Sequence, residues 1–328
     1  MLGRMPGAPL RWKLADDTPA SGQLALFNDV VEHHFGTGEF RGIEFLHVNA
    51  RRIINEVPAA SRMPFRFTIN AYRGCMNSCV YCFARPTHEY LGLDAGRDFE
   101  TKIVVKINAV ERLRAELRNP KWQGELIAMG TNTDPYQRCE GKYRLTRGII
   151  EVLTEARNPF SILTKGTLIL RDLDVLEEAA KHTDVRTSFS IGTLDPEVWK
   201  ASEPGTPHPR QRVAALAKLR AAGVTCSVLL APIIPGISDS PEQLEEVVTA
   251  CRDAGATSIT PIVLHLRPGV REQFMPWLSE ARPDLVADYQ RRYPRSYADK
   301  AYQQRITDLV AELLGRRGGR GRGRTRSS

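Results

Sequence analysis

The stretch Thr225-Cys-Ser-Val-Leu-Leu-Ala-Pro232, followed by Ser240-Pro-Glu-Gln-Leu-Glu-Glu-Val-Val-Thr-Ala-Cys-Arg-Asp253 and Ser258-Ile-Thr-Pro-Ile-Val-Leu-His-Leu266, reads as strand, helix, strand. The outer segments are short apolar or β-branched runs. The middle one has helical period, with Ser240 as N-cap, Pro241 at the first helical position and Gly255 just past its end. The same alternation extends back along the chain. Strand runs are predicted at Phe65 to Tyr72, Glu125 to Gly130, Phe160 to Lys165 and Val185 to Gly192, with helix-like segments near 101 to 118, 145 to 156, 170 to 182 and 208 to 222. Strands alternating with crossover helices imply an α/β fold with a parallel sheet, either doubly wound or wrapped into a full or partial barrel. In both arrangements the active face lies at the C-terminal ends of the strands.

The 328 residues are 42% hydrophobic and 26% charged, the balance of an ordinary soluble globular protein with a sizeable core. The longest apolar stretch, Val228 to Ile234, is interrupted by Pro232 and falls far short of the roughly 20 residues a bilayer demands, so no membrane partner is expected. The N-terminus, with Arg4, Arg11 and Lys13, lacks the apolar core of a secretory signal, which suits a cytoplasmic protein. The net charge of +8 is local: six arginines lie between 316 and 326, and without them 40 basic residues face 38 acidic ones. Six cysteines in a chain without an export signal point to metal or redox use rather than disulfides.

Four regions follow. Residues 1–64 do not share the alternation; Gly36, Gly38 and Gly42 mark loops, and Pro58 to Pro64 reads as a linker out of an N-terminal extension. Residues 65–267 form the core. Residues 268–314, with Trp277, Tyr289, Tyr293, Tyr297 and Tyr302, read either as a helical cover or as a surface on which nucleobases stack. Residues 315–328 form a Gly/Arg-rich tail, expected to be disordered, that either contacts nucleic-acid phosphates or merely solubilises the chain.

The sharpest chemical signal is Cys75-Met-Asn-Ser-Cys79-Val-Tyr-Cys82, a C-x3-C-x2-C run in the loop after the first core strand. Three thiolates on one tight loop can converge on a common point, which buried structural cysteines have no need to do. Structural zinc usually takes two paired elements, and no second pair is present, so an iron–sulfur site is the better reading. Cys139, Cys226 and Cys251 are scattered, leaving a cubane cluster with three protein ligands and one open iron.

With Tyr81 before the third cysteine, this run resembles the signature loop of radical S-adenosylmethionine (SAM) enzymes. The contexts Asn70-Ala-Tyr-Arg-Gly-Cys75 and Cys82-Phe-Ala-Arg85 resemble the spore photoproduct lyase-like branch, in particular an uncharacterised bacterial subgroup of it. The resemblance implies a partial (β/α)6 TIM-like barrel over about 65–267. It implies a [4Fe-4S] cluster on Cys75, Cys79 and Cys82, SAM on the open iron, an electron donor such as flavodoxin or ferredoxin, and reductive SAM cleavage. The product would be a 5'-deoxyadenosyl radical that abstracts hydrogen from a substrate the sequence does not identify. The alternative from another class is a non-enzymatic, metal-stabilised nucleic-acid-binding protein with structural cysteines.

By the same resemblance, Tyr81, Gly130, Thr131, Lys165, Ser190 and Arg210 are the candidates for holding SAM. Glu203 and Arg210 either approach SAM or form a local ion pair that fixes the Pro204 to Pro207 turn. Asp134 and Tyr136 either face substrate or cap a turn and fill the core. The Ala231 to Gly236 segment resembles the element that lies against adenine. His88, His265 and Arg267 are further candidates for the cavity. Spore photoproduct lyases carry a hydrogen-donating cysteine on the second strand, where this chain has Ala128, Met129 and Gly130; Cys139 is a loop alternative.

Overall fold

Each of the six apolar runs contains a strand in the computed structural model, which describes residues 30–58, 61 and 63–315. In chain order the strands are β1 (Val30–Phe35), β2 (Glu44–Val48), β3 (Ile54–Glu56), β4 (Phe67–Ile69), β5 (Tyr72–Arg73), β6 (Lys102–Lys106), β7 (Ile127–Met129), β8 (Phe160–Thr164), β9 (Val185–Ser190), β10 (Thr225–Ile233) and β11 (Ile259–Val263). A seven-stranded sheet has the order β11-β10-β9-β8-β7-β4-β3. Its six strands from β4 to β11 run parallel, in a register that aligns Phe67, Ile127, Phe160 and Val185. Only β3 at the edge runs antiparallel, against β4. Helices Leu145–Glu155, Leu173–His182, Pro209–Ala221 and Pro241–Asp253 make the crossovers. The last begins with a full capping box between Ser240 and Gln243, which satisfies amides that the first turn would otherwise leave unpaired.

The run Phe65 to Tyr72 divides between two sheets. Its first half is β4; Tyr72 belongs to β5, in a four-stranded sheet of order β1-β2-β6-β5. This second sheet corrects one expectation. The segment near 101 to 118 is not one helix: Lys102–Lys106 is a strand, parallel to β2 and antiparallel to β5, and the helix spans only Ala109–Leu117. Three consecutive β-branched residues, Ile103, Val104 and Val105, suit a pleated strand buried on both faces better than a helix. In the described part of 30–64, Gly36, Gly38 and Gly42 lie in the connection between β1 and β2, where the sequence reading placed loops, and the flanking segments supply β1, β2 and β3.

Residues beyond the core form helices Arg271–Ala281, Val286–Arg292 and Lys300–Gly315, the last against Pro241–Asp253 and β11. Three cover tyrosines are buried and hydrogen-bonded. Tyr289 donates to the Pro235 carbonyl at 2.8 Å, Tyr293 to that of Leu264 at 3.0 Å and Tyr302 to Asp239 at 2.7 Å. They therefore tie the loops after β10 and β11 to the cover, and among the cover tyrosines named above Tyr297 is the half-exposed one. Among the described residues no helix is long and apolar enough to cross a membrane. The Arg-rich tail from Arg316 onward and the first 29 residues lie outside the described residues.

Candidate active site

Immediately after β5 the chain enters the cysteine loop, whose backbone is bonded on several sides. Cys75 N–H donates to the Phe99 carbonyl at 2.9 Å, Met76 N–H to Gln137 Oε1 at 3.0 Å and Val80 N–H to the Ser202 carbonyl at 3.1 Å. The buried Arg85 donates to the Cys79 carbonyl at 3.0 and 3.1 Å. Gly205 N–H donates to the Asn77 carbonyl at 3.1 Å, and a side chain at 205 would place Cβ only 2.2 Å from the Met76 carbonyl oxygen. Glycine is what allows the 203–207 turn to lie directly on the loop.

All three thiols line one cavity of about 240 Å3. Its other walls come from strand ends: Gly130 after β7, Thr164 of β8 and Lys165 just after it, Ser190 of β9, Pro232 on β10 and His265 after β11. Cys75 and Cys79 are buried and Cys82 is half-buried. Burial pushes the Cys75 thiol well above its ordinary value and that of Cys79 up to about 12, with Cys82 adding to both. Such thiols remain protonated unless a cationic centre displaces the protons and supplies the opposing charge. Three soft sulfur donors facing one cavity fit an iron–sulfur cluster. Cys139, Cys226 and Cys251 do not line that cavity, so no fourth cysteine faces it.

Gly130 has φ of 85°, and a Cβ there would fall 1.9 Å from the Leu163 carbonyl oxygen, so only glycine lets the β7 exit press against β8. Thr131 is half-buried but does not line the cavity, whereas its neighbours Asn132 and Thr133 do. Lys165 donates from Nζ to Ser190 Oγ at 2.7 Å, and Ser190 Oγ donates to the Ala231 carbonyl at 2.8 Å. Tyr81 is buried and its hydroxyl donates to Glu203, while the Lys165 ammonium lies 5.7 Å from the Tyr81 ring centre. Asp134 accepts from Asn77 Nδ2 at 2.9 Å, Lys165 N–H at 2.7 Å, Tyr136 N–H at 2.9 Å and Thr164 Oγ1 at 2.5 Å. It clamps the cysteine loop to the end of β8. Tyr136 is buried outside the cavity.

Arg210 is placed elsewhere, a correction to the sequence reading. It stands on the exposed side of helix Pro209–Ala221 and pairs with Glu246 at 2.5 Å. Arg212 is the arginine that reaches the site wall. Two residues on a helix differ by about 200°, so the two side chains point in nearly opposite directions. Buried Arg212 donates to Glu203 and Thr206, each at 2.5 Å, and to the carbonyls of Pro207 and Ser190, each at 3.0 Å. Burial works against a charged Glu203, but Arg212 and Lys165 outweigh it and hold the carboxyl below its ordinary range. The missed signal lay in the helix itself. Arg212 occupies the same stripe as Pro209, Ala215, Leu216 and Leu219, all buried.

His265 lines the cavity, its ring edge-on to Tyr297 with centroids 4.5 Å apart, and burial lowers its pKa. Arg267 donates to the Phe83 carbonyl at the rim. His88 is fully buried, with Nε2 3.0 Å from the Lys102 carbonyl, and belongs to the packing behind the loop. Cys139 is likewise fully buried outside the cavity, which removes the loop-thiol reading for it.

Residues 69–251 match the family model of the radical SAM superfamily. The uncharacterized protein Rv2578c of Mycobacterium tuberculosis is 47% identical over 277 residues, 84% of this chain and 82% of that protein. The uncharacterized protein MJ0683 of Methanocaldococcus jannaschii is 30% identical over 199 residues, 60% of this chain and 70% of its own length. Among solved structures, spore photoproduct lyase complexed with dinucleoside spore photoproduct is similar at a TM-score of 0.62 and 18% identity, covering 82% of this chain and 78% of the other. That similarity is one of fold.

Proposed function

We propose how this chain, which belongs to the radical SAM superfamily and is an enzyme that uses a [4Fe-4S] cluster and SAM, divides the work among its residues. Cys75, Cys79 and Cys82 hold the cluster. Gly130, Lys165, Ser190 and Tyr81 receive SAM on the facing walls, while buried Arg212, which does not line the cavity, holds Glu203 behind them. When bound, cluster and SAM supply a 5'-deoxyadenosyl radical for hydrogen abstraction. The observation that carries the reading is the shared cavity: three thiols of one loop and the ends of β7 to β11 border the same space. This also supports a partial (β/α)6 barrel, since strand ends that surround one ligand must curve about it.

In this arrangement Lys165 and Ser190 present an ammonium and a hydroxyl suited to a carboxylate. Glu203 is neutralised by Arg212, so it orients Tyr81 without adding unpaired charge beside the cluster. The apolar Ala231 to Ile234 exit and Leu264 keep water from the radical. A reductant of the flavodoxin or ferredoxin class supplies the electron, in the cytoplasm. Nothing favours the non-enzymatic alternative. The test is anaerobic reconstitution followed by iron counting and assay of 5'-deoxyadenosine after reduction with SAM. Near four irons per chain and product formation are expected, both lost in Cys79→Ala; a chain that binds zinc alone overturns the reading.

A further inference from the structure

We propose that Glu32, His34 and His47 form a zinc site on the β1–β2 hairpin, outside the cysteine cavity. The placement follows from strand periodicity. Glu32 and His34 are two residues apart on β1 and so share a face, and the ladder sets His47 of β2 directly opposite Glu32. One potential ligand atom from each of the three lies within 4.8 Å of the others. His34 Nε2 is 2.7 Å from Glu32 Oε2, and the His34 and His47 ring centroids are 4.2 Å apart. His33, on the opposite face, pairs with Glu44 at 2.6 Å and takes no part.

Two imidazoles and one carboxylate are a donor set of the kind zinc takes, with the remaining position left for water. The site is reachable, since the Glu32 side chain is 60% and that of His34 35% exposed, while His47 is half-buried. Tyr143 fixes the His47 ring through its hydroxyl, 2.8 Å from Nε2, the type of outer contact that orients a ligating histidine. Lys142 lies over the Phe45 and Tyr143 rings, 5.3 and 5.2 Å from their centres, and its charge works against a second cation near His47. Zinc here would brace an edge hairpin that communicates through β6 with β5, the strand that enters the cysteine loop.

The test uses the full chain with its cluster loaded, under anaerobic conditions, so that the loop thiols do not take zinc themselves. After incubation with zinc and desalting, the metal content is expected to rise by one zinc per chain without loss of iron. His34→Ala and Glu32→Gln are each expected to weaken zinc binding by more than about 100-fold, beyond what loss of a supporting contact costs, with His33→Ala unchanged. Hydrogen exchange of the β1 and β2 amides slows on zinc addition in the wild type only. Failure of the cluster-loaded chain to retain zinc, or retention by His34→Ala and Glu32→Gln equal to wild type, overturns the proposal. Neither result bears on the radical SAM reading.

Discussion

Replacing Arg212 by methionine removes the positive member of an ion pair whose two side chains are 1% and 5% exposed. Glu203 then keeps its carboxylate in the interior bonded to Tyr81 and Thr206, with the Lys165 ammonium 4.0 Å away as its remaining ion-pair partner, and the Ser190 and Pro207 carbonyls lose a donor. Breaking a buried pair from one side costs about 3–5 kcal/mol. At roughly 2 °C per kcal/mol, the low end of the range for smaller domains, the expected fall in Tm is about 6–10 °C. Arg210→Met is the matched control. Its pair with Glu246 is 60% and 50% exposed, so its removal is worth at most about 1 kcal/mol and about 2 °C. Adding Glu203→Gln to Arg212→Met removes the stranded charge and is expected to recover part of the loss, which makes the two changes less than additive. Thermal denaturation followed by circular dichroism, with iron content measured on the same samples, reads all four proteins. Equal Tm values for Arg212→Met and Arg210→Met would refute the assignment of the buried arginine.

Gly205→Ala sets a methyl against the Met76 carbonyl, so the purified protein should fold but carry less iron per chain than Gly141→Ala, whose added Cβ comes no nearer than 3.9 Å to a neighbour. Cys139→Ala should leave iron content and 5'-deoxyadenosine formation unchanged, since that thiol lies outside the cavity; loss of either activity or iron would return it to the site. Asp174 is held near a pKa of about 2, chiefly by hydrogen bonds from Arg147 against a smaller effect of burial. Its ordinary value is 3.8, so its stabilisation is complete above that pH and lost as pH falls toward 2. Because the Asp174 side chain is 64% exposed, Asp174→Asn should cost at most about 1 kcal/mol near neutrality, a gap that closes in acid denaturation curves between those two values.

The alternation of short apolar runs with helical periods was visible because each element imposes its own period on the chain, and Ser240 with Gln243 announces a helix start locally. All six core strands lie within the predicted runs apart from Ile233, one residue beyond Pro232. The cysteine loop was equally legible, since seven residues of spacing suffice to bring three sulfurs to one side of a turn. The segment at 102–106 was not, because its choice between strand and helix depends on β2, more than fifty residues earlier, and on β5.

Local sequence thus determined the α/β class, the order of the parallel strands' elements and the residues able to bind a cluster. What only the tertiary structure decided is which charges face inward. Tyr81 and Glu203 are 122 positions apart yet hydrogen-bonded, and Arg212 rather than Arg210 completes that contact. Periodicity reports the phase of a helix but not the wall against which it turns; that wall exists only once β9, the 203–207 turn and the cysteine loop have packed together and excluded water.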